Sequence, residues 1–409
     1  KEETLFLLQT TKFKQALNKN MKKNICLLLI AALMCSCAGQ DNGKDDFITI
    51  SIDPEDSQIV SIADFFEKIA IVPLETNDTI LINAVYNIIP LNKRLYILDR
   101  RSSSVFIFSD HGEAKAVIHD QGDGPNKYTN ASSIAVNGEK KELYVMDNQL
   151  KKKFVYDLNG RLLRVDTIPY KISQILFLGE GREVWARSSI EPEDGYIMNC
   201  FKQDELVAQY HPHHYENGAT ISFWESPFVL FEDGLYTHIM YNDTIYKYDF
   251  NYPKGGLVIK LGHAIPKELI ALPMQSREDE IFKYLRKNKK VAHSPYLYIS
   301  DETKVGVSYQ YDGYNCFYIY DRLNGESCSF RGPHIGKVHI VDILYGTIAC
   351  GDYFYYILDP SKYQDLETKK KSEIQSFYPE LFNTLERASI DDNPILMVAK
   401  LNKKIFRNE

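Results

Sequence analysis

RLYILDRRSSSVFIFSDHGEAKAVI (residues 94–118) and ELYVMDNQLKKKFVYDLNGRLLRVDTI (residues 142–168) share one frame. Each opens on a strand-like run ending in an aspartate, Asp99 or Asp147, and passes a short polar turn into a second run, 105–108 or 153–156. Each then turns tightly at His111-Gly112 or Asn159-Gly160 and leaves on a third run. Val, Ile, Tyr and Phe in runs of this length suit a pleated strand, and glycine at these positions supplies the positive φ of a tight turn. Tyr96 and Tyr144 are 48 residues apart, the size of one four-stranded propeller blade.

Weaker copies of the frame continue along the chain. Residues 183–186, with Trp185, then 196–201 and 206–210 make a third unit, and 234–236, 244–250 and 257–261 a fourth. A fifth comprises 305–309, 316–320, the Asn324-Gly325 turn and 327–330, and a sixth 342–350 and 353–358. The fold expected is therefore all-β, a six-bladed β-propeller. Two charged segments without β-branched runs interrupt it, PKELIALPMQSREDEIFKYLRKNKK (266–290) and LETKKKSEIQSFYPELFNTLERA (366–388). Apolar residues at helical spacing, such as Ile281, Tyr284 and Leu285, predict helical insertions at blade loops. A ring of blades must also hide its two end strands. KIAIVPL (68–74) and PILMVAKL (394–401), from opposite ends of the chain, are the pair expected to complete one blade together.

Upstream, residues 21–37 (MKKNICLLLIAALMCSC) have the layout of a secretory signal: Lys22 and Lys23, an apolar run too short to cross a bilayer, then Ser36-Cys37. The end matches a bacterial lipobox, which makes Cys37 the expected site of lipidation and a lipid anchor the expected contact with the membrane. Residues 1–20 precede a signal that normally starts a chain, and are taken as a leader or a mis-set start. AGQDNGKDD follows Cys37, and residues 38–49 are expected to be a flexible tether, with the propeller from 50 to 409. Acidic tethers of this kind direct some lipoproteins to the outer membrane, where the protein would be periplasmic or surface-facing.

A formal net charge of -7 gives no excess of Lys and Arg for neutralising phosphates, which argues against a nucleic-acid partner. With 28 Tyr and 21 Phe, the composition is that of a strand-rich chain. Cys200, Cys316, Cys328 and Cys350 are too sparse for a disulfide framework. Cys316 and Cys328 flank one turn, but the hairpin register places Cys328 opposite a residue nearer Asp321 than Cys316.

SIADFFEKIAIVPLET, LYILD, GDGPNKY (122–128) and PILMVAKL together resemble the six-bladed β-propeller lipoproteins of anaerobic Gram-negative bacteria, which are similar in shape to NHL-type propellers. The resemblance runs from about residue 50 onwards and implies the fold and an envelope location; it implies no activity. Asn126-Lys127 stands where the family's loop carries Gly-Glu.

Gly122 and Gly124, with Pro125 and Tyr128, form a loop whose backbone amides could face the channel or could simply make a turn. His211, His213 and His214, with Glu216, offer imidazoles to a metal, but the surrounding loop composition reads as a solvated connector and no second cluster supports a metal site. Asp99 and Asp147, recurring at one place in two repeats, suit turn capping. Trp185 and Trp224, the latter beside Glu225 in 221–231 (ISFWESPFVLF), could stack on sugar faces or fill interblade core. Neither a GxSxG elbow nor a phosphate loop occurs. These features favour a non-catalytic binding module for a glycan or envelope protein, with no cofactor. The alternative is a propeller hydrolase or lactonase with a channel-bound Ca²⁺. Converging Asp, Glu, Asn and His in the axial cavity would favour the enzyme, and an aromatic, uncharged rim would favour binding.

Overall fold

Tyr96 and Leu98 pack towards one neighbouring sheet and Leu95 and Ile97 towards the other, and this division of one strand between two cores builds the ring. Arg94–Asp99 is buried on both faces, which is why it reads as a nearly unbroken apolar run. Each fully buried side chain of this kind contributes about 1.5–3 kcal/mol. A computed structural model describes residues 46–187, 195–213, 227–231, 233–239, 242–250, 252–350 and 353–402. The leader, the signal segment with Cys37, Trp224 and Glu225 lie outside the described residues.

Six antiparallel sheets form a six-bladed β-propeller. Blade one consists of Val85–Leu91, Arg94–Asp99, Ser104–Ser109 and Ala114–Ile118, innermost strand first, and blade two of Ser133–Asn137, Glu142–Asp147, Lys152–Asp157 and Leu162–Thr167. Blades three, four and five begin with Ile172–Gly179, Phe228–Phe231 and His293–Ser300. Blade six begins with Leu344–Cys350 and Tyr353–Leu358 and takes Ile395–Leu401 as its third strand. Its outermost strand is Phe66–Pro73, paired antiparallel from Ile395↔Pro73 to Leu401↔Phe66, so the expected closure by both ends of the chain is present.

Residues ahead of that closing strand also belong to the ring. Asp46–Ile52 adds a fifth strand to blade four, Gln58–Ser61 runs parallel to Ser327–Ile335 of blade five, and a helical turn, Ile62–Phe65, leads into blade six. Asp46–Ile52 is thus a strand that overlaps the end of the stretch 38–49 expected to be a tether. The reason is the alternation of DFITISI, which drives Ile50 and Ile52, each 2% exposed, against Leu257 and Ile259.

Both insertions are helical. Lys267–Ile270 and Met274–Lys287 join blades four and five, with Ile281 packed on Ile265 and Val291. Pro360–Gln364, Thr368–Phe377 and Pro379–Arg387 lie between the second and third strands of blade six and bring Ile374, Leu381 and Leu385 into the core between blades five and six. Antiparallel alternation puts second-to-third strand turns, interblade connections and the first residues of every innermost strand at one end of the ring. Both insertions therefore open onto the same face, referred to below as the mouth.

Candidate functional site

Aspartates set the blades at the mouth. Asp99 Oδ1 accepts from the amides of Arg101 and Ser102, and its Oδ2 accepts from the amide of Asn83 at 2.7 Å. Asp147 repeats this with Gln149 and Leu150 on one oxygen and Thr129 and Asn130 on the other. Both carboxyls are fully buried. Burial alone would raise the Asp147 pKa, but the hydrogen bonds from Leu150, Thr129 and Asn130 outweigh it and hold the carboxyl below its ordinary value. The turn-capping role expected for both is present, and each also ties down the connection arriving from the preceding blade.

The innermost strands carry a feature that sequence reading missed. In blade one the register runs from Val85↔Asp99 to Asn87↔Leu98, leaving Tyr86 as an extra residue. Blade three leaves Ser173 extra in the same way, blade six leaves Tyr345, and blade five gains one residue across Ser294 and Pro295. Such bulges re-aim side chains away from the ladder. Tyr86, Ser173, Ser294 and Tyr345 all line one axial cavity of about 530 Å³. Tyr86 and Tyr345 are 46% and 52% exposed, on the innermost strands of neighbouring blades. The bulges were not legible because a single residue added to a strand leaves its composition unchanged.

Tyr296, Tyr309, Gln310 and Asn315 of blade five continue a wall of hydroxyls, amides and aromatic rings. No carboxylate lines the cavity among the described residues, and its one cationic lining side chain is Lys362, whose Nζ donates to the Leu344 carbonyl. The guanidinium of Arg100 lies 4.8 Å from the ring centroid of Tyr86 at the rim. Among the described residues no three His, Cys, Asp or Glu side chains are grouped to hold a metal.

The glycine loop is closed on itself and does not line the cavity. Gly122 N–H donates to the Tyr128 carbonyl at 3.0 Å, Tyr128 N–H donates to the Asp120 carbonyl, and Lys127 pairs with Asp120 at 3.0 Å. Gly122 and Gly124 have φ of +146° and +134°, the conformations that require glycine. Tyr128 is 0% exposed, and its hydroxyl donates to the Ser103 carbonyl and accepts from the Asp120 amide. Gly122, Gly124 and Tyr128, expected as ligand-binding residues, form a turn between blades one and two, with Tyr128 buried and both glycines exposed.

Trp185 takes part in packing, one of the two roles that its sequence allows. Its indole N–H donates to Glu183 at 2.9 Å, and its ring packs 4.5 Å from Phe201 and against Tyr170. His211 is not in a solvated connector. It lies in the strand Glu205–His213, hydrogen-bonded to the hydroxyls of Thr237 and Tyr248, and burial pushes its pKa down to about 4. His214 and Glu216 lie outside the described residues, as does the side chain of His213. Two buried histidines went unnoticed in the sequence, His334 and His339, whose rings pack 4.7 Å apart beside Tyr314. Cys316 and Cys328 are free thiols: Cys328 faces Ile319 and Cys316 faces Arg331, so the register keeps them apart.

Fold and cavity define the class of protein: a six-bladed propeller, closed by strands from both ends of the chain, with an aromatic axial pocket whose described lining holds no carboxylate. The family described as "Domain of unknown function (DUF4934)" matches residues 47–400, and the chain belongs to that family. A crystal structure of a protein described as exported, from Bacteroides fragilis NCTC 9343, is similar at TM-score 0.69 and 18% identity, covering 87% of this chain and 100% of that one. A member of the DUF4221 family from Bacteroides vulgatus ATCC 8482 has TM-score 0.48 and 11% identity, covering 82% of this chain and 96% of that one. At these identities the first likeness shows the fold alone, and the second carries no argument. No curated protein matches the chain. Among the described residues no helix is long and apolar enough to cross a membrane.

Proposed function

We propose that this protein is a lipid-anchored propeller of the cell envelope, of NHL-like type, acting as a non-catalytic binding module for a glycan or an envelope protein at the mouth of its channel. One observation carries the reading: the bulge residues of four blades converge on a pocket walled by tyrosines, serines and amides. Hydroxyls and amides recognise polar ligands by hydrogen bonds, and exposed rings give apolar platforms to sugar C–H faces. The volume suits a small ligand or the end of a larger one, since such sites span roughly 300–1,000 Å³. The absence of carboxylates from the described lining weighs against the hydrolase or lactonase with bound Ca²⁺, because a hard cation needs several oxygen ligands, usually carboxylates among them. Lipidation at Cys37 and an outer-membrane location, periplasmic or surface-facing, belong to this proposal and rest on residues 21–37.

Glycan-array and envelope pull-down screens of the full chain, with Tyr345→Ala as the comparison, test the reading. Retention of a ligand by the wild type and its loss in the variant is the expected result. Turnover of a lactone or glycoside would replace the binding module with an enzyme.

A further inference from the structure

Among the described residues one cationic side chain, Lys362, lines a pocket of otherwise uncharged groups, and a second, Arg100, lies over the ring of the lining residue Tyr86. Arg100 is stacked on Tyr86, and Lys362 lines the wall formed by Leu344 and Tyr345. The Lys362 ammonium makes one hydrogen bond, to the Leu344 carbonyl at 2.5 Å, which leaves N–H donors over. Acids flanking this wall in sequence are engaged elsewhere. Asp342 pairs with Lys370 at 2.7 Å, and Asp359 Oδ1 caps the helix Pro360–Gln364 through Ser361. Asp99, next in sequence to Arg100, is buried and bonded to backbone amides. Tyr298, 2% exposed and part of the same lining, has a hydroxyl without a hydrogen-bond partner. The chain as a whole is acidic at -7, so this neutral to positive pocket runs against the overall charge.

From this arrangement we infer that the mouth takes a carboxylate-bearing sugar, with Tyr86 and Tyr345 as stacking faces and Arg100 and Lys362 meeting the carboxylate. The inference rests on the binding-module reading above and names its ligand class. A guanidinium over a ring face still carries N–H donors that can meet the two oxygens of a carboxylate. The serines and amides of the same lining then serve the sugar hydroxyls. A cationic amino sugar finds no carboxylate among the described lining residues and meets the like charges of Lys362 and Arg100.

The test is calorimetric titration of the full chain with tetragalacturonate, neutral maltotetraose and the fully deacetylated glucosamine tetramer. Charge-assisted hydrogen bonds set the expected preference for the acidic sugar over the neutral one at roughly tenfold or more, falling as salt is raised. Arg100→Gln and Lys362→Gln should each reduce that preference, read as the ratio of tetragalacturonate to maltotetraose affinity measured on the same variant. Tyr86→Ala and Tyr345→Ala should weaken both sugars alike. All four side chains are at the surface, so the variants should fold, and matching circular dichroism spectra check this. Equal affinity for acidic and neutral sugars, binding of the glucosamine tetramer, a preference unmoved by Arg100→Gln, or no sugar bound would each overturn the inference. Neutral sugar bound alone leaves the binding-module reading standing, whereas hydrolysis of any of the three removes that reading.

Discussion

Ending the chain after Pro394 removes the strand Ile395–Leu401, the third of blade six and the one that the N-terminal strand Phe66–Pro73 pairs with. Ile395, Met397 and Leu401 face the core shared with blade five, while Leu396 faces the core shared with blade one. All four are at most 2% exposed. At about 1.5–3 kcal/mol for each, their burial contributes about 6–12 kcal/mol in total, as an upper estimate. A whole domain is stable by only about 5–15 kcal/mol. Truncation also bares the edges of Tyr353–Leu358 and Phe66–Pro73, two apolar strands free to pair with other chains. The expected outcome is loss of the cooperative thermal transition in far-ultraviolet circular dichroism, with dye binding to exposed apolar surface. A chain ended after Asn402 keeps the strand and serves as the control. A truncated protein that melts cooperatively within a few degrees of that control would refute the closure argument.

Two further predictions concern charge. Asp147→Ala removes acceptors for Gln149, Leu150, Thr129 and Asn130 in one step, and should destabilise by about 2–4 kcal/mol in denaturant titration. Because the folded pKa of Asp147 is depressed, its stabilisation is present above the ordinary value of 3.8 and is lost as pH falls through the folded pKa, so the variant should show a flatter acid limb. His211, His238 and His339 are buried neutral with pKa values near 4, against 6.5 when exposed. Between those values the unfolded chain binds protons that the native chain does not, so denaturation midpoints should fall from about pH 7 to about pH 5. An unchanged midpoint would mean these rings are not buried as described.

Much of the ring was legible because strands such as Arg94–Asp99, Ser104–Ser109 and Glu142–Asp147 are buried on both faces and announce themselves as dense apolar runs. Asp99 and Asp147 could be read as turn caps because their chemistry is local, served by amides two and three residues on. The innermost strands were harder. Ile172–Gly179 and Leu344–Cys350 face the channel on one side and carry Ser, Gln, Gly and Thr there, which resemble loop residues in a linear reading. Aromatic residues are ambiguous in a linear reading. An indole can meet a sugar face or fill an interblade gap, and Trp185 packs on Phe201 and Tyr170 while Tyr128 is buried and hydrogen-bonded to Ser103.

The sequence by itself determined the blade, the number of blades and the use of both chain ends for closure, because repeat length, strand alternation and turn glycines are properties of neighbouring residues. Only the tertiary structure decided the site. Tyr86, Ser173, Ser294 and Tyr345 are far apart in the chain and share no motif. They meet because each stands at a bulge at the same height on the axis, and closing the ring brings those bulges around one cavity.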